Sequence, residues 1–338
     1  MKHFPFPSIE QFRTVIKYVN DRVDHHHVAK KPKLLFSGTV KLHGTNASVV
    51  LRDGEVYAQS RSNVITPEND NAGFAAFVAA NKAQFQALGQ AYAKQDLVLY
   101  GEWCGKGIQK GVAISQVEKR FVLFAICLLK DDEKDTWAKP SQLVSFYGRH
   151  QELFSEQITC IYQFPIWQVE VDFANPAAIQ NTLVELTIAV EQECPVGKKL
   201  GVIGVGEGIV WVCEDSKDLP FSTSDLIFKV KGEKHSDTKT KTLAPVDVEK
   251  IAKLTDLANM VCTDHRLEKG FDQLKLDHPG VDVLDMSMIP HFLKWVGQDI
   301  LKEESDTIAE NGFEPREVTK VVNGLARVWF KGQVDGSI

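Results

Sequence analysis

Lys41-Leu42-His43-Gly44-Thr45-Asn46 lies between two short runs, LLFSGTV (34–40) and NASVVLR (46–52), both rich in apolar and β-branched residues. Such runs read as strands, so the hexapeptide is their connection. A lysine in a strand-flanked turn, followed by a glycine, can carry its amine close to a bound phosphate while the backbone stays clear. Taken alone the stretch is a weak signal, because most lysines in turns are solvated surface residues. Its neighbours along the chain change that weighting.

Moving outward, EVYAQS (55–60) is a third strand, and Asp53-Gly54 is the hairpin turn that joins it to the second. The region 73–94 reads as a helix, with Phe74, Phe77, Val78, Phe85 and Leu88 at roughly helical spacing. LVLYGEW (97–103) and RFVLFAIC (120–127) read as buried strands, 177–192 as a helix, and EGIVWVC (207–213) and LIFKVK (226–231) again as strands. Hairpin signals outnumber crossovers, which predicts an α+β fold with mainly antiparallel sheets. Beyond Lys241 the texture changes to amphipathic helices such as VDVEKIAKLTDLANMV and MIPHFLKWVGQDIL. A boundary is placed at Leu243-Ala244-Pro245, giving residues 1–243 to one domain and 244–338 to a small helical one.

Bulk properties narrow the classes. The 338 residues exceed what one core usually holds, and a 43% hydrophobic content argues against wholesale disorder. The formal charge of −6 allows nucleic-acid binding only where positive charge is gathered locally. Five lysines between Leu226 and Leu243, set against Glu233 and Asp237, are one such place, although a solvated linker would look the same. MKHFPFPSIE has no apolar signal core, and no stretch is long and apolar enough to span a bilayer, so no membrane association is expected. The six cysteines form no C-x-x-C pair, which points away from zinc and disulfides and towards a reducing cytoplasm.

The lysine stretch is followed, in order, by Gln59-Ser60-Arg61-Ser62, Gly101-Glu102-Trp103 with GKGIQKGV behind it, RFVLFAI, Glu207-Gly208-Ile209-Val210 and Lys229-Val230-Lys231. This ordered set, over about residues 35–235, resembles the covalent nucleotidyltransferases and within them the phage-type RNA ligase 2 family. Any one motif is unspecific; six in order are not. The resemblance implies a nucleotidyltransferase (ATP-grasp-like) domain and an ATP-dependent RNA ligase working through lysyl-AMP and RNA-adenylate, at nicks in duplex RNA, in RNA repair. It implies ATP as co-substrate, Mg2+ (or Mn2+), and RNA as partner, with a helical tail that engages RNA. It indicates no obligate protein partner, and cytoplasmic location (host cytoplasm if phage-encoded).

The same resemblance assigns roles. Lys41 is the nucleophile, which must lose its proton to attack the α-phosphate, helped by nearby cations and Mg2+. Lys229 and Lys231 alternate with Val230, so both face one side of a strand and can hold that phosphate. Their bland reading is a strand edge guarded by lysines. Glu102 bonds the ribose hydroxyls, and Glu207 helps to hold the metal, directly or through water. Arg61 contacts the nucleotide or an incoming 5′-phosphate. Phe124 stacks on adenine, where an ordinary core aromatic is the alternative. His43 and Asn46 flank the nucleophile, with turn hydrogen bonding as the plain alternative, and Val40 and Leu42 complete the nucleotide contacts. Relatives often have a polar residue at Val40, so only its backbone can meet the base. They also often carry a lysine where Trp211-Val212 stands.

Two stretches mislead. Gly204-Val-Gly206-Glu-Gly208 is followed by a strand, not a helix, so it is no dinucleotide loop. His25-His26-His27, beside Lys30, Lys31 and Lys33, reads as a solvated polar loop before a metal site. The rivals are a DNA ligase and a GTP-using capping enzyme, both of which normally carry a barrel where this chain has helices. A non-catalytic nucleic-acid-binding protein on the same fold is the rival from another class.

Overall fold

The structure is a computed structural model that describes residues 1–26, 30–130, 135–214, 223–232 and 247–336. Two compact units make up the chain, Met1–Pro245 and Val246–Ile338. The boundary at Leu243-Ala244-Pro245 lies outside the described residues, as do Lys234, Lys239 and Lys241.

The first unit is built on two sheets. Sheet one has the order β1 (Glu10–Gln11), β12 (Ile227–Lys231), β11 (Gly208–Cys213), β2 (Lys33–Val40), β10 (Ile166–Asp172). Sheet two runs β5 (Val64–Ile65), β4 (Glu55–Ser60), β3 (Thr45–Arg52), β6 (Leu97–Cys104), β7 (Arg120–Leu128), β8 (Thr136–Trp137), with β9 (Ile158–Cys160) also on β7. Among the described residues only β1 on β12 and β9 on β7 pair in parallel. The expected α+β fold with mainly antiparallel sheets therefore holds. Asp53 (φ 50°) and Gly54 (φ 76°) make the left-handed turn that joins β3 to β4.

Helices cover these sheets. Phe12, Val15, Val19 and Val23 recur at three- and four-residue spacing along α1 (Phe12–His25), which buries that stripe beside β12. The polar loop expected at His25-His26-His27 is corrected here: His25 closes α1, and His26 donates its N–H to the Arg22 carbonyl. Basic groups in a last turn suit the negative helix end. His27 lies outside the described residues. The single helix expected over 73–94 is two, α2 (Phe74–Ala80) and α3 (Lys82–Tyr92). Asn81 divides them, because both its backbone N–H and its side-chain amide turn back to the Phe77 carbonyl. Among the described residues the remaining α-helices of this unit are α4 (Pro140–Arg149), α5 (Ala177–Gln192) and α6 (Pro195–Lys199).

The second unit is helical: α7 (Val248–Val261), α8 (Asp264–Asp277), α9 (Ile289–Glu303), α10 (Ser305–Glu310) and α11 (Pro315–Val334). Asp247 and Thr263 cap α7 and α8 by accepting the N–H of Lys250 and Arg266. Phe292 lies flat on Trp329 at a centroid distance of 5.7 Å, inside a core shared with Val296, Val318 and Phe330.

Candidate active site

β2 belongs to sheet one and β3 to sheet two, so Lys41–Gly44 is the place where the chain passes from one sheet to the other. The Lys41 N–H still donates to the Gly208 carbonyl at 2.8 Å, which carries the β2–β11 ladder one residue into the turn. Gly44 then packs against β6. A Cβ there would overlap the Trp103 carbonyl oxygen, and its N–H donates to Glu102 Oε1 at 2.8 Å. Gly208 has φ +148°, and a Cβ would strike the Val230 carbonyl. Glycine is needed at both positions for the backbones to approach this closely.

Between the sheets is a cavity of about 330 Å3, lined by Val40, Lys41, Leu42, Asn46, Arg61, Glu102, Phe124 and Lys229 among others. That volume falls at the lower end of the range for small-molecule sites. Asn46 and Glu102 are register partners on β3 and β6. Phe124 enters by a β-bulge: Tyr100 pairs with Ala125 and Gly101 with Leu123, so Phe124 is the extra residue. Bulges turn a side chain out of strict alternation, and here both Phe124 and Ala125 reach the cavity.

Beside the cavity, Glu207 is 2% exposed and collects three donors. Lys41 Nζ lies 2.8 Å from its Oε2, Lys231 Nζ 3.0 Å from its Oε1, and His43 Nδ1 3.2 Å from its Oε2. Burial alone would raise this carboxyl, but the charges and hydrogen bonds of Lys41 and Lys231 hold it below the ordinary value. Lys229 is lowered, first by burial and then by repulsion from Lys231 and Lys41. β12 is no bare edge guarded by lysines, since β1 pairs with Phe228 and Lys229.

Glu102 moves the other way. Burial pushes it up to about 7, against the pull of Lys41 and the Gly44 N–H, with Glu207 adding to the rise. Between its unfolded value near 4.5 and about 7, the folded protein therefore holds a proton that the unfolded chain has lost. The associated stability is present at low pH and disappears as pH rises through this window. Ligand-free Glu102→Gln should lose less stability between pH 4.5 and 7.5 than the parent, by about 1–2 kcal/mol after discounting for partial exposure. Paired thermal melts across that range check it; parallel curves would refute the shift.

The sequence reading passed over several residues at the cavity. Phe6 and Ile9, from the N-terminal segment, line it with Trp137 and Tyr162. Phe6 meets Phe124 edge-on at 5.1 Å, and its carbonyl accepts from Arg61 at 3.0 Å. Gln59 fixes the same segment by accepting from the Phe4 N–H and donating to the Phe4 carbonyl. The available signal was Phe4-Pro5-Phe6-Pro7, since a residue before proline is held extended and alternating aromatics then share a side. Trp211 points away from the cavity and packs on Gly38, while its neighbours Val210 and Val212 face the site.

A lysine-bearing cavity between two mainly antiparallel sheets, with a buried carboxylate gathering the cations, defines a nucleotidyltransferase domain. Residues 35–231 match the model of the RNA ligase family, and the chain belongs to that family. Among solved structures it is similar to a Naegleria gruberi RNA ligase mutant with ATP and Mn, at 18% identity and TM-score 0.46, covering 70% of this chain and 58% of that one. A second mutant of that ligase with AMP and Mn gives 19% and 0.45, and the ligase with PPi gives 20% and 0.45; each covers 70% of this chain and 60% of that one. The chain thus spans less than two thirds of the length of these structures. No curated protein matches it.

Proposed function

We propose that this chain is an ATP-dependent RNA ligase of the phage-type RNA ligase 2 branch. It joins an RNA 3′-hydroxyl to a 5′-phosphate at nicks in duplex RNA, in RNA repair. The observation that carries the reading is the position of Lys41, whose Nζ sits 2.8 Å from Glu207 while its chain lines the cavity. Lys41 Nζ attacks the α-phosphorus of ATP, a P–N bond forms, and the bond to pyrophosphate breaks. AMP then passes to the RNA 5′-phosphate, and the 3′-hydroxyl displaces AMP as the phosphodiester forms.

An ammonium paired to a carboxylate has no lone pair, so attack requires the Lys41–Glu207 pair to open and the proton to leave. Glu207 is the carboxylate that would hold Mg2+ or Mn2+. Among the described residues no group of three or more His, Cys, Asp or Glu forms a ready metal cage. One or two carboxylates together with nucleotide phosphates are an ordinary way to bind Mg2+, so these residues fit a metal that arrives with ATP. When bound, it neutralises phosphate charge. Lys229 and Lys231 hold the α-phosphate, Glu102 takes the ribose hydroxyls, and Phe124 offers its face to adenine. The backbones of Val40 and Leu42 meet the base edge. Asn46 and His43 keep the turn around Lys41, and Arg61 contacts the nucleotide or the incoming 5′-phosphate.

The six cysteines are all free and buried, in keeping with a reducing compartment such as the cytoplasm. No helix among the described residues is long and apolar enough to cross a membrane.

Substrate choice follows from geometry. In-line attack needs the reacting atoms near 3–3.5 Å and aligned, and a complementary strand supplies much of that alignment. The 2′-hydroxyl marks RNA at the 3′-hydroxyl side. Single-turnover sealing at one salt concentration should therefore rank a nicked RNA duplex above a nicked DNA duplex and single-stranded RNA. A faster single strand would refute the nick, and a faster DNA nick would restore the DNA-ligase reading. Labelling from ATP should exceed labelling from GTP about tenfold or more, as expected of a site that reads base-edge hydrogen bonds. Equal labelling would favour the capping-enzyme reading.

A further inference from the structure

Residues 247–336 carry eleven Lys and Arg against seventeen Asp and Glu, so the helical unit is acidic by itself. An acidic surface repels a phosphate backbone. This unit can therefore grip nucleic acid only where its cations are both unspent and gathered.

Six of the eleven cations are held by carboxylates. Lys250 pairs with Glu317, Lys253 with Glu249, and Arg266 with Asp299 and Glu304. Lys269 reaches Asp299, Lys275 pairs with Asp272, and Lys302 with Glu303. The other five, Lys294, Arg316, Lys320, Arg327 and Lys331, form no ion pair among the described residues.

Their placement is not scattered. Arg316, Lys320, Arg327 and Lys331 follow one another along α11 at intervals of four, seven and four. At about 100° per residue these positions fall within an arc of about 60°, in a stripe about 22 Å long. α11 contains one acid, Glu317, and Lys250 holds it. The fifth cation, Lys294 of α9, shares with Arg327 the lining of a groove between α9 and α11. Of the two acids of α9, Asp299 is turned to Arg266 of α8 and Glu303 pairs with Lys302. Gln298, Thr319 and Asn323 line the same groove, and Asn323 Oδ1 is buried without a hydrogen-bond partner among the described residues.

We propose that this groove between α9 and α11 is an RNA-binding surface, with Lys294, Lys320 and Arg327 on successive phosphates. Gln298 and Asn323 bond the sugar hydroxyls or base edges between them. A long, narrow stripe of unpaired cations matches a linear polyanion. Uncharged amides set among the cations match hydroxyls and bases better than the carboxylates of an acidic protein segment. The proposal rests on the RNA-ligase reading and gives the acidic helical unit its place of contact.

The test uses the full chain. Lys294→Gln, Lys320→Gln and Arg327→Gln are combined, since glutamine keeps helix propensity while removing charge. A control combines Lys253→Gln, Lys275→Gln and Lys302→Gln, which removes the same net charge from exposed, paired positions. Binding of a nicked RNA duplex is measured over a series of salt concentrations, with thermal melts to report folding. The groove variant should bind about tenfold or more weaker at low salt. Its log Kd against log salt should be shallower by about 2.7, the loss expected for three phosphate contacts on a duplex. The control should keep the parental slope. A parental slope in the groove variant, or an equal loss in the control, overturns the groove, and the former leaves it to an acidic protein segment. A parent chain that neither forms lysyl-AMP nor seals RNA overturns the ligase reading instead.

Discussion

Lys41→Ala should abolish the covalent AMP adduct, with labelling from α-labelled ATP falling about 10³-fold or more, as expected when the nucleophile itself is removed. Three lysines stand near the proposed α-phosphate, so the assignment needs an argument for this one. Lys41 is on the turn between the sheets and lines the cavity. Lys231 shares the contact with Glu207 but does not line the cavity, and Lys229 lines the cavity but forms no ion pair with Glu207 among the described residues, so Lys41 alone does both. Lys41→Arg sharpens the test. Arginine can keep a charge pair with Glu207 but does not deprotonate, so a merely structural Lys41 would be rescued and a nucleophile would not. Labelling that survives in either variant, mapped to Lys229 or Lys231 by peptide mass, would move the nucleophile. Folding is checked independently, because Glu207 retains Lys231 in Lys41→Ala.

Much of this site could be read from the chain because its parts are local. A strand–turn–strand with Lys41 and Gly44 in the turn, a Lys-Val-Lys alternation and a glutamate at the head of an apolar run need only periodicity and turn chemistry. What was missed depends on contacts between distant residues. The bulge that delivers Phe124 falls at Gly101, which packs under the Phe121 ring where a Cβ would clash. No window short enough for periodicity contains both strands of that pair. Phe6 joins the cavity through contacts from far along the chain: Gln59 bonds the backbone of Phe4, fifty-five residues before it, and Arg61 donates to the Phe6 carbonyl. α1 is absent from the predicted elements, although Phe12, Val15, Val19 and Val23 form a clear stripe. The helix read through Asn81 failed for a simpler reason: hydrophobic spacing continues in phase across a residue whose side chain stops the helix.

Glu207 is the second position where a single change should have a large effect. Glu207→Gln keeps the shape and removes the charge, which leaves Lys41 and Lys231, each formerly within 3.0 Å of it, as uncompensated like charges. Lys229 already feels repulsion from both. Adenylation should fall about 10²-fold or more, in line with loss of one electrostatic stabiliser. The carboxyl sits below its ordinary value in the folded state. Its contribution to stability is therefore full above the unfolded value near 4.5 and is lost as pH falls through the folded one. Glu207→Gln should flatten that acid limb, which thermal melts below pH 5 would display. Holding lysines and holding a metal are then separated by titration. If Glu207 only positions Lys41, the variant is slow at every Mg2+ concentration with an unchanged half-saturation point. If it also supplies an oxygen to the metal, half-saturation should rise about tenfold, because a neutral amide binds a hard cation far less well than a carboxylate. An unchanged half-saturation point would remove Glu207 from the metal site and leave its role to the lysines.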